Sequence, residues 1–284
     1  MEECLPIEMA AEPGLTQTLG SLLKGCGDSS NDLPLASHAT APIHAAAAAG
    51  HCAVVQALLN EGTRADAVDE STGHSLLIAA TAAGHVDVIS LLLKAGADAG
   101  AAPAPPASAA AGESALTLAC RACHHPALAA LLSEGASPNV CDGRGVSLLM
   151  LCAAHTPVDP AGDCSLASCL HLLLRDPGGA SLTAVDLDGT TALAHAAAAG
   201  NHAAAAALLE APGGNLTVNL PDKRGRTPLQ LSSSLGHEAL CSLCLGAGAR
   251  VDEADLEGDT ALMRASGSGQ LPVMRRPARG PDPL

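Results

Sequence analysis

Cysteines and histidines at close spacing are the residues of this chain that could do chemistry. Cys120, Cys123 and His124 match the Cys-x-x-Cys-His pattern to which c-type haem is attached. Cys241 and Cys244 form a second Cys-x-x-Cys pair, and two such pairs could bind zinc if they met in space. Haem and zinc are therefore the two kinds of site that these spacings suggest.

Each of these patterns also has a structural interpretation. Haem attachment needs an oxidising compartment, and residues 1–14 are acidic where a signal peptide would be basic. Reduced thiols in a cytoplasmic or nuclear protein are the favoured interpretation of the cysteines. A third group leaves a redox or metal role open beside simple apolar filling: Cys152, Cys164 and Cys169.

Composition and motifs exclude several classes of function. The net charge is −15, which argues against nucleic acid as the main partner, because phosphates are bound by a basic surface. Phe, Tyr and Trp are absent, so no base can stack on an aromatic side chain. The chain has no Gly-x-Ser-x-Gly elbow, no phosphate loop and no His-Glu-x-x-His pair. We therefore predict no enzymatic activity and no cofactor.

The elements that must position these residues repeat every 33 residues, most clearly from Gly225 to Glu257. Thr227-Pro228 predicts the start of a short helix that ends at Gly236. His237 opens a second apolar helix, which stops before Gly248. Each helix has an apolar face that the unit cannot bury alone, so such units must stack on their neighbours.

This unit resembles the ankyrin repeat, whose hallmark is Gly-x-Thr-Pro-Leu-His, then Gly-His, then Leu-Leu-x-x-Gly-Ala-Asp. The position of the hallmark threonine recurs at residues 41, 75, 114, 147, 191, 227 and 260. The resemblance implies an all-α solenoid of stacked helix-turn-helix units with β-turn fingers, comprising six full repeats and a truncated seventh. Insertions are predicted around residue 72 and within residues 100–111, 155–163, 176–178 and 212–214.

Three segments follow from this frame. Residues 39–269 form the array. Residues 1–38 are acidic, and two interpretations stay open for them: a degenerate half-repeat that caps the stack, or a disordered segment. Residues 270–284 are rich in proline and arginine, and we predict that this tail is disordered.

The frame assigns structural roles to most of the suggestive residues. Cys120 falls at an inward position and Cys123 at the glycine that ends a first helix. Five histidines fall where the family uses histidine to tie helices and turns together: His44, His51, His85, His124 and His237. His195 and His202 are predicted to be solvated. The apolar run Ala192–Ala211 is predicted to form two short helices and not a membrane span.

Ankyrin-like stacks bind proteins, so the resemblance implies an interaction scaffold or adaptor. The exposed first-helix positions are mostly alanine, and specificity is therefore expected from the fingertips. The fingertip candidates are Glu70, Ser71, His74, Arg144, Val146, Leu187, Asp188, Thr190, Lys223, Arg224, Arg226, Glu257 and Asp259. Lys223, Arg224 and Arg226 form a basic patch that suits an acidic segment of a partner protein. We predict a monomer with one or more protein partners, bound neither to nucleic acid nor to a membrane.

Two other classes of function stay open. The array is alternatively the regulatory ankyrin part of a longer enzyme, such as a kinase or a ubiquitin-ligase subunit. The chain is alternatively a redox or metal-binding protein that uses its cysteines.

Asn139 is a candidate for modification, because the family carries in this segment asparagines that an oxygen-sensing dioxygenase hydroxylates. Asn219 occupies the corresponding place, but only Asn139 follows the leucine pair that the resemblance requires. We expect an added oxygen on the Asn139 peptide when the protein and the dioxygenase are coexpressed. Peptide mass spectrometry checks this, and an unmodified peptide would exclude the modification.

Overall fold

The computed structural model describes residues 40–69, 73–100, 114–155, 163–175 and 180–270. The sequence predictions for residues 1–38 and 271–284, and for most of the predicted insertions, lie outside these residues. The chain divides into two compact units, unit 1 (Met1–Ser137) and unit 2 (Pro138–Leu284). The fold is all-α, and within the described ranges β-structure is limited to two isolated bridges, Val68 with Ser75 and Cys141 with Ser147.

Unit 1 contains three helix pairs in the described residues. They are α1 (Thr40–Ala49) with α2 (Cys52–Asn60), α3 (Leu76–Ala83) with α4 (Val86–Lys94), and α5 (Ala115–Arg121) with α6 (His125–Ser133). The first helices α1, α3 and α5 pack side by side, and the second helices α2, α4 and α6 form a parallel layer. This is the predicted stack of repeats one to three.

Unit 2 contains three further helix pairs, and one more first helix follows them among the described residues. Its helices are α7 (Leu148–Ala154), α8 (Asp163–Arg175), α9 (Ala192–Ala199), α10 (His202–Glu210), α11 (Pro228–Leu235), α12 (Glu238–Gly246) and α13 (Ala261–Gly267). The first helices α7, α9, α11 and α13 pack in order, and so do α8, α10 and α12. The predicted insertion at residues 212–214 leads into a short 3-10 helix, Gly214–Thr217. No helix among the described residues is long and apolar enough to cross a bilayer.

Side-chain caps set the start of the first helices. At six of the seven predicted positions a hydroxyl oxygen accepts a hydrogen bond from the backbone N–H three residues later. The capping residues are Ser75, Ser114, Ser147, Thr191, Thr227 and Thr260. Each cap contributes about 1 kcal/mol, so the repeat frame is fixed locally as well as by packing.

Glycine and histidine lock successive repeats together where the first helices end. Gly200 has a φ of 76° and caps α9, and a Cβ there would lie 2.7 Å from the His237 ring of the next repeat. His85 lies over Gly50 in the same way, and its Nε2 is 3.1 Å from the carbonyl oxygen of Ala48. These histidines therefore join repeats, as the frame predicted for His85 and His237.

Cys123 occupies a position where glycine is expected, and its backbone is strained there. Its φ is 49°, and among the described residues it is the only non-glycine with a positive φ. The left-handed conformation costs an L-residue roughly 1–2 kcal/mol. The Cys-x-x-Cys-His pattern is thus a helix end, with Cys120 fully buried and His124 capping α6 through its Nδ1.

We expect Cys123→Gly to raise the free energy of unfolding by about 1 kcal/mol, because glycine adopts this φ without strain. Thermal and urea unfolding measure the change. Cys123→Ala is the matched control, since it removes the thiol but keeps the strained backbone. Equal stabilisation by both substitutions would show that the thiol, not the backbone, causes the effect.

Candidate functional site

The fingers of unit 2 are built around one aspartate each. These four finger aspartates are Asp142, Asp186, Asp222 and Asp255. In each finger the Oδ1 accepts hydrogen bonds from the backbone N–H groups two and four residues later, at 2.8–3.0 Å. A glycine with positive φ follows three residues after each aspartate and completes the turn. The carboxylate therefore shapes the loop, and the residues between the aspartate and the helix cap form the tip.

The second carboxylate oxygen has a different partner in three of these fingers. Asp186 Oδ2 accepts from His195 Nε2 at 2.8 Å. Asp222 Oδ2 lies 2.7 Å from a terminal guanidinium nitrogen of Arg226. Asp255 Oδ2 accepts from Arg264 Nε at 2.8 Å, and Arg264 also reaches Glu257.

Consecutive fingers are joined by backbone hydrogen bonds. Leu187 N–H donates to Arg144 O at 3.0 Å, and Lys223 N–H donates to Asp188 O at 2.9 Å. Leu256 N–H donates to Arg224 O at 3.0 Å in the last finger. The four tips thus form one hydrogen-bonded row, the finger row. Along it the residue two positions after each finger aspartate alternates in charge: Arg144, Asp188, Arg224 and Glu257.

The hydrogen bonds hold two finger aspartates in the ionised form. Burial alone would raise the pKa of Asp255, but hydrogen bonds from the Asp259 backbone and the Arg264 side chain bring it below its ordinary value. The pKa of Asp186 is lowered in the same way, against burial, by the Thr190 backbone and by His195. Both carboxylates are therefore committed to holding their fingers, not to exchanging protons.

The predicted basic patch divides into two parts. Lys223 and Arg224 are exposed at the tip of their finger. Arg226 is tied to Asp222 by a hydrogen bond from its Nε and by a second contact, and its side chain is 33% exposed. The positive charge that faces solvent is thus carried by Lys223 and Arg224, whereas Arg226 braces the finger.

The other fingertip candidates of unit 2 fall on the same row. Leu187 is 64% exposed, and Asp188 and Arg144 are exposed beside it. Glu257 and Asp259 both pair with Arg264, at 2.8 and 3.4 Å. The half-buried candidates of this row are Val146 and Thr190, whose N–H groups bond to finger aspartates.

The candidates of the second repeat belong to unit 1. His74 is half-buried, and its carbonyl oxygen lies 3.1 Å from His44 Nε2. His74 therefore helps to hold its finger. Glu70 and Ser71 lie outside the described residues.

Sequence reasoning missed two sets of residues that build the fingers. Gln230 stands where the hallmark has histidine, and its Nε2 donates to both Glu253 O and Asp259 O at 2.9 Å. Gln230 is 2% exposed. It binds backbone carbonyl oxygens of a finger, as His44 does in the first repeat. The finger aspartates were missed as well, although Asp-x-x-Gly-x-Ser/Thr repeats at each of them in the sequence.

The prediction that His195 is solvated is wrong. Its Nε2 lies 2.8 Å from Asp186 Oδ2, and the pair braces the fifth finger. The repeat pattern did not indicate the contact between His195 and Asp186, because Asp186 was not recognised as a finger residue. His202, in contrast, is exposed at the start of α10, as predicted.

The cysteine pair of repeat six lies in the apolar core. Cys241 and Cys244 cluster with Leu229 and Ala261. Cys241 Sγ also contacts Ser232 Oγ at 3.3 Å. Burial, helped by the neighbouring Cys241, raises the pKa of the Cys244 thiol to about 12, so this thiol stays protonated and unreactive at neutral pH. The described residues contain no group of three potential metal ligands.

Asp255 should contribute to the pH dependence of stability. Its pKa in the folded protein lies below the unfolded value, so the stabilisation is complete above about pH 4 and is lost as the pH falls further. We expect Asp255→Asn to lower the Tm by several degrees at pH 7 and to flatten the acid limb of a Tm-against-pH curve. The control is Asp252→Asn, which changes an exposed aspartate of the same loop. Parallel acid limbs in wild type and Asp255→Asn would contradict the assignment.

Comparisons with known proteins agree with this architecture. A model of three consecutive ankyrin repeats matches residues 7–103 and 161–255, and a single ankyrin repeat model matches residues 111–143. B-cell lymphoma 3 protein homolog from Mus musculus is 32% identical over 147 residues, which are 51% of this chain. The chain spans only 30% of that relative's length in this match.

A solved structure gives the same result in three dimensions. The crystal structure of the ankyrin repeat domain of Bcl-3, described as a unique member of the IkappaB protein family, superposes with a TM-score of 0.63. The match covers 79% of this chain and 93% of that domain, at 26% identity. The family models match well over half of the residues, and the capped, stacked helix pairs are those of their fold. The chain therefore belongs to the ankyrin repeat family.

Proposed function

We propose that this protein is an interaction scaffold whose finger row binds an acidic segment of a partner protein. Repeat stacks present extended surfaces to their partners. The observation that carries the proposal is the finger of Lys223 and Arg224, where two exposed cations stand on a braced loop. The protein's overall charge of −15 repels an acidic partner, so a local cationic site gives such a partner a defined point of approach.

The rigidity of this finger supports the proposal. Asp222 holds the loop through the N–H groups of Arg224 and Arg226, and the neighbouring fingers hold it through Asp188 O and Leu256 N–H. A partner that docks on a preformed loop loses little conformational entropy of the scaffold. Lys223 and Arg224 are therefore placed to form charge-assisted hydrogen bonds with carboxylates.

Exposed small and apolar side chains broaden the surface. Leu187 and Leu256 project from the fingers on either side of Lys223, at 64% and 78% exposure. Two small residues, Ala198 and Ala199, occupy the outer positions of α9. Ala198 is exposed and Ala199 is partly exposed, so the adjoining surface is smooth. We infer a partner segment in which carboxylates alternate with apolar residues.

The scaffold acts without catalysis of its own in this proposal. The buried polar side chains that hold the fingers, among them Gln230, Asp222 and Asp255, bond to the protein's own backbone and side chains. We place the protein in the cytoplasm or nucleus, where buried thiols such as Cys244 remain reduced. We propose that it acts as a monomer.

We expect Lys223→Glu/Arg224→Glu to weaken partner binding by at least about tenfold, because two contacts become repulsive. Quantitative affinity capture with mass spectrometry identifies the proteins that the wild type retains and the variant loses. Titration calorimetry with the recovered acidic segment then gives both Kd values. Arg226 is left unchanged, because its loss would disturb Asp222.

Lys94→Glu/Arg175→Glu is the matched control. It makes the same change in net charge, at two exposed residues in the last turns of α4 and α8, away from the fingers. The control should bind like the wild type, and circular dichroism should show that all three proteins are folded. An unchanged set of partners in the finger variant would overturn the proposal.

A further inference from the structure

Each finger of unit 2 contains the same β-turn. The N–H of the glycine three residues after the finger aspartate donates to the carbonyl oxygen of that aspartate at 2.9–3.0 Å. The two central residues of each turn, here called the tip pair, are exposed: residues 143–144, 187–188, 223–224 and 256–257. The four tip pairs are therefore equivalent positions along the finger row.

The backbone geometry of the tip pairs sets the spacing of the finger row. Within a pair the two Cα atoms are about 3.8 Å apart. Between fingers, the second residue of one pair accepts a backbone hydrogen bond from the first residue of the next, as Arg144 O does from Leu187 N–H. Chain segments joined in this way lie about 4.8 Å apart. The same position therefore recurs along the row about every 9 Å.

A partner segment that lies along the row must present one face with this repeat. A polyproline II helix has three residues per turn and returns to the same face after about 9.3 Å. A β-strand returns after two residues, or about 6.7 Å. An α-helix returns after about 5.4 Å or, over two turns, about 10.8 Å, so it drifts by about 2 Å at each finger. Of the three conformations, polyproline II matches the finger row.

The second residues of the first three tip pairs set the order of charges that a partner meets. Arg144, Asp188 and Arg224 are exposed, and no ion pair among the described residues joins them to one another. Their charges are therefore available to a partner. Asp188 lies between two cationic fingers, so a segment with acidic residues alone would meet a like charge there.

The last tip pair differs, because its charge is already neutralised. Glu257 Oε2 accepts a hydrogen bond from Arg264 at 2.8 Å. Its neighbour Leu256 is 78% exposed. An apolar side chain of the partner therefore suits this finger better than a charged one.

We propose that the partner segment adopts a polyproline II conformation and carries charges of alternating sign at every third residue. A carboxylate binds Arg144, a cationic side chain three residues away binds Asp188, and a second carboxylate binds Lys223 and Arg224. An apolar residue three further on contacts Leu256. The inference rests on the proposed binding of an acidic segment, and it adds the conformation of that segment, its spacing and one required cation.

Three synthetic peptides, blocked at both ends, test the spacing with the full chain. The period-three peptide is Glu-Pro-Ser-Lys-Pro-Ser-Glu-Pro-Ser-Leu. The period-two peptide, Glu-Ser-Lys-Ser-Glu-Ser-Leu-Pro-Pro-Pro, has the same composition. The all-glutamate peptide is the period-three peptide with glutamate in place of lysine. Ligand-observed NMR at low ionic strength, where exposed charges are little screened, gives each Kd. We expect the period-three peptide to bind at least about tenfold more tightly than either of the others.

Asp188→Lys tests the order of the charges. It should weaken binding of the period-three peptide at least about tenfold and tighten binding of the all-glutamate peptide. Because the substitution makes the protein less negative, a non-specific attraction predicts tighter binding of both peptides. The control is Asp252→Lys, which makes the same change in charge at an exposed residue outside the tip pairs. It should keep the wild-type preference for the period-three peptide.

The outcomes separate this inference from the proposed function. Equal Kd values for the period-three and period-two peptides, or no binding of either, would overturn the polyproline II conformation. Tighter binding of the period-three peptide to Asp188→Lys would overturn the order of charges. The proposed function fails separately, if Lys223→Glu/Arg224→Glu captures the same partners as the wild type, and this inference then fails with it.

Discussion

Burial of apolar helix faces against the next repeat is the interaction on which this structure depends. A single helix pair here has seven to thirteen residues in each helix and cannot bury both of its faces alone. The caps, the fingers and the glycine–histidine contacts all serve to bring the next pair to the right place. Because the side chains in the stack are small, with many alanines and no aromatic residue, each contact is short and tolerates little misplacement.

The repeat frame was accessible from the sequence because its signals are local. A hydroxyl before an apolar run specifies a helix start wherever it occurs, so the caps from Ser75 to Thr260 could be placed by spacing alone. Cys123 was placed correctly for the same reason, since a helix that ends there requires a positive φ whatever the side chain is. The resemblance of the 33-residue unit to the ankyrin repeat then predicted a solenoid of stacked helix pairs.

The fingers were less accessible, because their contacts join residues that the period does not distinguish. Every finger of unit 2 has an aspartate at its base, but Asp186 binds a histidine, Asp222 an arginine of its own finger and Asp255 an arginine from α13. The sequence places Arg226 beside Lys223 and Arg224. Nothing in the sequence shows that Arg226 is the one that forms an ion pair with Asp222. Which charges remain available to a partner is therefore a three-dimensional property.

The buried thiol of Cys244 has a further consequence. A thiol with a pKa of about 12 in an apolar cluster does not react with alkylating reagents at neutral pH while α11, α12 and α13 stay packed. Its labelling rate therefore reports how often this end of the stack opens, without any foreign probe. Cys244, which suggested metal chemistry in the sequence, is thus an intrinsic probe of local unfolding in the sixth repeat.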